Sequence, residues 1–265
     1  MKMSITINSQ VCLLLTTRFS QRDETEVLSP WQWGDLCQSL GGVSNLGTLL
    51  DGSAEQIMQD CNVNRELQGK VVTLLSRGVG LALASEKWLR AGVWVIGAGD
   101  PEYPLGLSRL EIEKRPPLLF GYGSFEMLEQ PSVAVDERLS KADIGKVACV
   151  VDDLRASTVG LLDRSHSRAV IRETLSRGGQ ALAVTYKDLV GYGSTAELRD
   201  AIMNGSLTVV SSKPPGQHDN RGPVYEKEIV VGLSDSALTQ NVLERFETQE
   251  PEGNDPPAQQ LDFEF

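Results

Sequence analysis

The chain has 265 residues, 40% of them hydrophobic and 23% charged, enough for one large folded domain or a small one beside a medium one. Its formal net charge of −11 excludes a protein that coats duplex DNA non-specifically, because neutralising phosphates takes a basic face. A local basic cleft stays allowed, and an acidic surface suits docking onto a basic partner.

The first thirty residues are weakly patterned, and Cys12–Thr17 reads as either a strand or the start of a helix. Ser29 as N-cap with Pro30 at the first helical position opens a helix that Gly41-Gly42 ends. Ser53-x-x-Gln56 is a capping box for a short helix through Asp60. From Asn64, apolar residues at Leu67, Val71, Leu74 and Leu75 fall at helical spacing. Leu81, Ala84 and Trp88 continue it on a further helix, with Gly92 as its C′ glycine. Residues 1–92 therefore read as a small helical domain. Trp31, Trp33 and Trp88 have the chemistry of base-stacking platforms, but core packing is the better reading for at least two of them.

Val93–Ile96 is a short strand, followed by Gly97, Gly99, Pro101, Pro104 and Pro116-Pro117, which forbid regular structure over a long stretch. Irregular backbone of this length marks a functional loop or a packed seam. Leu118–Phe120 is a second apolar run. Strands and helices then alternate. Ser132–Val135, Thr158–Leu162, Ala181–Thr185 and Leu207–Val210 read as strands, with Ala237–Val242 as a candidate fifth. Helices begin at Ser140-x-x-Asp143, at Ser165 or Ser167, at Ser194-x-x-Glu197 and at Gly222-Pro223. This alternation predicts an α/β fold over 93–243, a doubly wound parallel sheet with helices on both faces. From Glu244 the composition turns to Glu, Gln, Asn and Pro, so 244–265 reads as a flexible acidic tail.

In an open parallel sheet, ligands sit outside the carboxyl ends of the strands. Arg138 and Lys141 follow the first predicted strand of the alternating part, Arg164 the second, Lys187 the third and Lys213 the fourth. With Ser165 at the start of a helix, they form a candidate DNA- or anion-binding rim. No dinucleotide fingerprint or P-loop is present, and no catalytic residue is assigned. Asp163, Ser165 and His166 have the residue types of a hydrolase triad, but neighbours in sequence rarely converge as a triad does. His166 and His218 lack companions for a metal, and no cofactor is expected. The four cysteines are scattered and read as reduced thiols. No basic segment leads into a long apolar core at the start, and no run is long enough to span a membrane. A cytoplasmic protein without a membrane partner is expected.

Asp100-Pro101-x-Tyr103-Pro104, then Pro116-Pro117-Leu118-Leu119-Phe120-Gly121-x-Gly123, then the Ser132–Val135 strand, resembles the DprA/Smf family of DNA-processing proteins. The likeness continues through Gly178–Val184, Ser206–Ser212, Pro214-Pro215-Gly216 and Ile229–Leu238, so it runs from about Gly41 to Leu238. It implies a Rossmann-like fold behind a helical N-terminal domain, binding of single-stranded DNA, and a role in loading a recombinase. The departures fall on the binding positions. Asp136-Glu137-Arg138 stands where the family has Gly-Ser-Arg, and Asp163–Ser167 where it has a glycine-bearing Ala-Arg-Gly-Ile-Asp loop. Tyr225-Glu226-Lys227-Glu228 replaces an Arg-Arg-Asn-Arg cluster. Losing the glycines hinders close backbone approach to a phosphate, and the carboxylates repel it.

DprA-like proteins also serve as antitoxins in bacterial phage-defence toxin–antitoxin pairs, some beside phosphoribosyltransferase-like toxins. The altered pocket, acidic surface and added tail fit that use, with a cognate toxin as protein partner. Two other readings stand beside it: a single-stranded-DNA-binding recombination accessory protein, and a nucleotide-processing enzyme. A homodimer is compatible with all three. The terminal Gln260, Leu261, Phe263 and Phe265 alternate with polar residues. They resemble the peptides by which bacterial proteins engage the replication clamp, or they fold back onto the chain's own surface.

Overall fold

The computed structural model describes residues 5–135, 144–191, 195–217 and 225–247. The first helix, α1 (Ile7–Thr16), starts at Thr6, whose hydroxyl accepts the Ser9 N–H. The segment reads ambiguously in sequence because Val11–Leu15 are all buried, so the helix is apolar all round and shows no periodicity. It lies at the centre of a helical layer made with α2 (Pro30–Ser39), α3 (Thr48–Asp51), α4 (Ala54–Asp60), α5 (Arg65–Leu75) and α6 (Gly78–Arg90). Ser29 caps its helix as expected, in a reciprocal capping box with Gln32, and Ser53 accepts the Gln56 N–H, the first half of the box expected there. Asn64, not singled out as a cap in the sequence, accepts the Glu66 N–H. Gly92, past the end of α6, has φ +77°, a left-handed conformation that only glycine adopts without strain.

Six strands are described: β1 (Val93–Gly97), β2 (Leu118–Tyr122), β3 (Ser132–Ala134), β4 (Ser157–Leu161), β5 (Ala181–Val184) and β6 (Leu207–Ser211). They form one sheet in the order β1-β2-β6-β5-β4-β3. β3 to β6 are parallel and neighbour one another in chain order, whereas β1 and β2 form an antiparallel pair added beside β6. The sheet is therefore mixed, a Rossmann-like half extended by the strands that flank the proline-rich stretch. That stretch contains only the short helix α7 (Leu105–Ser108).

Helices cover both faces. Strands adjacent in chain order take right-handed crossovers, which bring α8 (Ile144–Asp153), α9 (Ser165–Ser176) and α10 (Ala196–Met203) to one face. On that face Thr158 meets Thr174 of α9 at 2.9 Å, and Ala181, Ala183, Leu207 and Val209 meet Leu198, Ala201 and Ile202 of α10. The helical layer continues the same apolar core over β1 and β2, where Trp88 stands edge-on to Phe120 with ring centroids 5.3 Å apart. The opposite face presents Val159, Leu161, Leu182, Val184 and Val210 to Ile229, Val230 and Leu233 of α11 (Glu226–Leu233). Trp33 and Trp88 are buried and Trp31 is 73% exposed, so two of the three tryptophans are core residues.

Three expectations are corrected. Ala237–Val242 is not a strand but the middle of α12 (Ser236–Glu247). Asp235 accepts the Leu238 N–H, and Val242 is 2% exposed against β3 and α8. α12 also carries the chain past Glu244, where the tail was expected to begin. Neither Ser165 nor Ser167 caps α9: the N-cap is Arg164, Ser165 is the first helical residue, and Ser167 packs beneath Gly160. The expected caps at Ser140, Ser194 and Gly222-Pro223 lie outside the described residues.

The proline-rich stretch is fastened by Asp100. Its carboxylate accepts the hydroxyls of Thr6 and Ser9 and, at 2.8 Å, the N–H of Gly97. Asp100 is 8% exposed, and Ser9 and Gly97 are buried, so those two donors have no water to turn to, whereas Thr6 is exposed. Asp100→Ala is expected to lower unfolding free energy by about 3 kcal/mol, since charge-assisted bonds are lost and buried donors stranded. Urea denaturation of the two proteins measures it.

Candidate anion-binding rim

The carboxyl ends of β4, β5 and β6 bring Arg164, Ser165, Lys187 and Lys213 to one end of the sheet, as expected from their positions after successive strands. Arg138 and Lys141 lie outside the described residues, as do Gln260, Leu261, Phe263 and Phe265. Arg164 and Ser165 are exposed at the N-terminus of α9. The Lys187 side chain is 56% exposed, and its Nζ lies 3.7 Å from Asp163 Oδ1. Lys213 turns inward: its Nζ is withdrawn from solvent, and its backbone N–H donates to Ser211 Oγ at 3.1 Å.

Three carboxylates, none of them assigned to the rim by spacing, organise it. Asp163, with a side chain 0% exposed, accepts the Thr185 hydroxyl at 2.8 Å and the Tyr186 N–H at 3.0 Å. Asp188 accepts the N–H groups of Val190 at 3.3 Å and Gly216 at 3.0 Å. Glu226 is fully buried and accepts the Ser212 hydroxyl at 3.0 Å and the Tyr225 N–H at 3.1 Å. Together they stitch the loop after β4 to that after β5, the loop after β5 to the Pro-Pro-Gly turn, and the end of β6 to the start of α11. Gly216 has φ +78° in that turn, and its N–H meets Asp188.

The electrostatic consequence follows from the donor inventory. A phosphate at the end of an α/β sheet is held by backbone N–H groups of the loops there. Here the N–H groups of Tyr186, Gly216 and Tyr225 are given to the chain's own carboxylates. Burial, and then the charges of Glu228 and Glu226, push the Tyr225 hydroxyl above its ordinary range. The N-terminal layer closes over this side: Gln21 donates to the Gly216 carbonyl at 2.6 Å, and Gln217 donates to the Arg18 carbonyl.

The triad residues do not assemble, because Asp163 is committed to Thr185 and Tyr186. His166 Nε2 is shielded from solvent without a hydrogen-bond partner among the described residues. No cluster of three or more His, Cys, Asp or Glu able to hold a metal occurs among the described residues. Cys12 and Cys37 are buried free thiols, and burial pushes that of Cys37 up to about 12, so it stays protonated. No described helix is long and apolar enough to cross a membrane.

No protein-family model and no curated protein matches the chain. Among solved structures, the DNA processing protein A (DprA) of Streptococcus pneumoniae matches with a TM-score of 0.58 and 21% identity, covering 92% of this chain and 85% of that one. The chain has a DprA-like fold, helical layer and mixed sheet together.

If Asp163 holds the rim closed to anions, Asp163→Asn should open it, since the amide keeps acceptor oxygen for Thr185 but sheds the charge beside Lys187. Affinity for a labelled oligothymidylate at low salt is expected to rise roughly fivefold, the scale of one nearby charge. Fluorescence anisotropy reads it; unchanged affinity would mean that Asp163 does not set the anion affinity.

Proposed function

We propose that this chain is a non-catalytic DprA-like protein that acts through a protein partner, as the antitoxin half of a bacterial phage-defence toxin–antitoxin pair, with residual weak binding of single-stranded DNA. The observation that carries this reading is the occupation of rim donors by Asp163, Asp188 and Glu226. A protein that grips nucleic acid by its phosphates keeps such donors open. Here they are spent on loop structure. The buried carboxylates are engaged in the same way, which supports a role without catalysis. The formal net charge of −11 suits a basic partner such as a phosphoribosyltransferase-like toxin. Expression of the neighbouring gene with and without this protein tests the pairing. Rescue from toxicity is the expected result, and absence of rescue for any adjacent gene removes the antitoxin role.

The second reading, a single-stranded-DNA-binding recombination accessory protein, draws on the exposed Arg164 at the N-terminus of α9 and on Arg138 and Lys187. Binding through so few cations is weak and falls steeply with salt. Charge reversal of Arg138 and Arg164 together is expected to abolish it; binding that survives the double change lies elsewhere. The terminal Gln260-Leu261-Asp262-Phe263-Glu264-Phe265 is a separate partner element of the clamp-binding type. Deletion of 259–265 with unchanged thermal stability and loss of clamp binding supports that role. A clear fall in melting temperature with binding unchanged assigns the segment to the fold.

A further inference from the structure

Trp33 of α2 is 1% exposed, and its indole Nε1 is shielded from solvent with no hydrogen-bond partner among the described residues. An indole N–H only donates, and buried donors are nearly always paired, so this one calls for an acceptor. Trp33 lines a cavity of about 270 Å³ between the end of α1, the start of α2, β2 and the turn after β6. A water takes up about 30 Å³ in the liquid, so the space exceeds what one bridging water fills.

The lining divides by chemistry. Leu28, Pro30, Pro117 and Leu118 supply an apolar wall. Among the described residues the charged members of the lining are Arg18 and Lys213, both cations. In a chain with 36 Asp and Glu against 25 Lys and Arg, chance favours the opposite sign. Lys213, lost to the rim because its Nζ is withdrawn from solvent, lines this cavity instead. Glu226 accepts the Ser212 hydroxyl without lining the cavity itself. Hydrogen bonds from Gln21 to the Gly216 carbonyl and from Gln217 to the Arg18 carbonyl tie the helical layer to the turn after β6, so the two sides are held at this spacing.

We propose that this cavity binds a small carboxylic acid as its anion. One carboxylate oxygen accepts the Trp33 Nε1–H, the charge faces Lys213 and Arg18, and a compact apolar body lies against Leu28, Pro117 and Leu118. Each part of the ligand answers a part of the wall: an acceptor for the orphan donor, a negative charge for the two cations, and apolar surface for the rest. Drug-sized ligands take pockets of about 300–1,000 Å³, so the body is smaller, a branched aliphatic chain or a single ring. Inorganic phosphate lacks that body, and a nucleotide carries a sugar and phosphates that an apolar wall does not serve. Because the wall is drawn from helical layer and sheet alike, the ligand stabilises the join it sits in.

The chain's four tryptophans give four indole N–H signals in a proton–nitrogen NMR spectrum, among which sequential assignment identifies that of Trp33. Isovalerate, benzoate and phenylacetate serve as probes, each beside its neutral amide. The expected result is a saturable shift of the Trp33 signal with at least one acid and a weaker response to its amide. Calorimetry with that acid should show Kd raised roughly tenfold or more in two variants, the least that a hydrogen bond to a charged group carries. Trp33→Phe keeps a ring and drops the donor; Lys213→Met keeps the stem and drops the charge. Whichever variant folds decides, and if neither does, the difference between acid and amide in the natural chain decides. A Trp33 signal that none of the acids moves overturns the proposal. So does one that acid and amide move alike, or a Kd unchanged in the variants. Movement with oligothymidylate but with none of the acids also overturns it, and makes the cavity part of a DNA site.

Discussion

The carboxylate of Asp100 accepts from Thr6 and Ser9 of the first helix and from Gly97 of the first strand, and the join between helical layer and sheet depends on it. It sits at the head of a segment that prolines keep out of regular structure, where backbone groups must find partners one at a time. The rest of that segment is fastened in the same way. Tyr103 donates to the Pro116 carbonyl at 2.7 Å, and Arg115 reaches the carbonyls of Ser108 and Leu110. The stretch that looks irregular is thus a seam between α1 and the β1–β2 pair, which brings β2 beside β6 and the N-terminal layer over the end of β6.

The same device, a carboxylate set among backbone donors, recurs at the carboxyl end of the sheet with a different consequence. At the seam it joins two layers. At the rim it occupies positions from which an α/β sheet would address an anionic ligand. Stability and anion affinity therefore compete for the same N–H groups. Neutralising or removing the acids does not simply weaken the fold; it also returns donors and uncovers cations.

Much of this was legible in the residues. The caps at Ser29 and Ser53, the C′ glycine at Gly92 and the strands β1 and β3 to β6 follow from local chemistry, and the structure has them. α1 was not legible, because a helix buried on every side has no amphipathic period. α12 was not either: Ala237–Val242 has the apolar content of a short strand, and only its packing across β3 and the Asp235 hydrogen bond distinguish it. The cations of the rim could be placed by counting from strand ends. The partners that Asp163, Asp188 and Glu226 choose could not, since those contacts join loops far apart in sequence and depend on the strand order β6-β5-β4. The one available signal was Asp163 standing where the DprA/Smf pattern has alanine and Glu226 where it has arginine, which pointed to a changed site without saying what the acids do.

The most direct test of a self-occupied rim is to watch its donors while an anion is offered. Amide chemical shifts of Tyr186, Gly216 and Tyr225 can be followed by NMR during titration with inorganic phosphate and then with oligothymidylate at low salt. The account predicts that these three signals stay where they are, because their hydrogens are already held by Asp163, Asp188 and Glu226, while any shifts gather around Arg164 and Lys187. Saturable movement of the three amides with either titrant would contradict it, and would show that the rim is an open phosphate site.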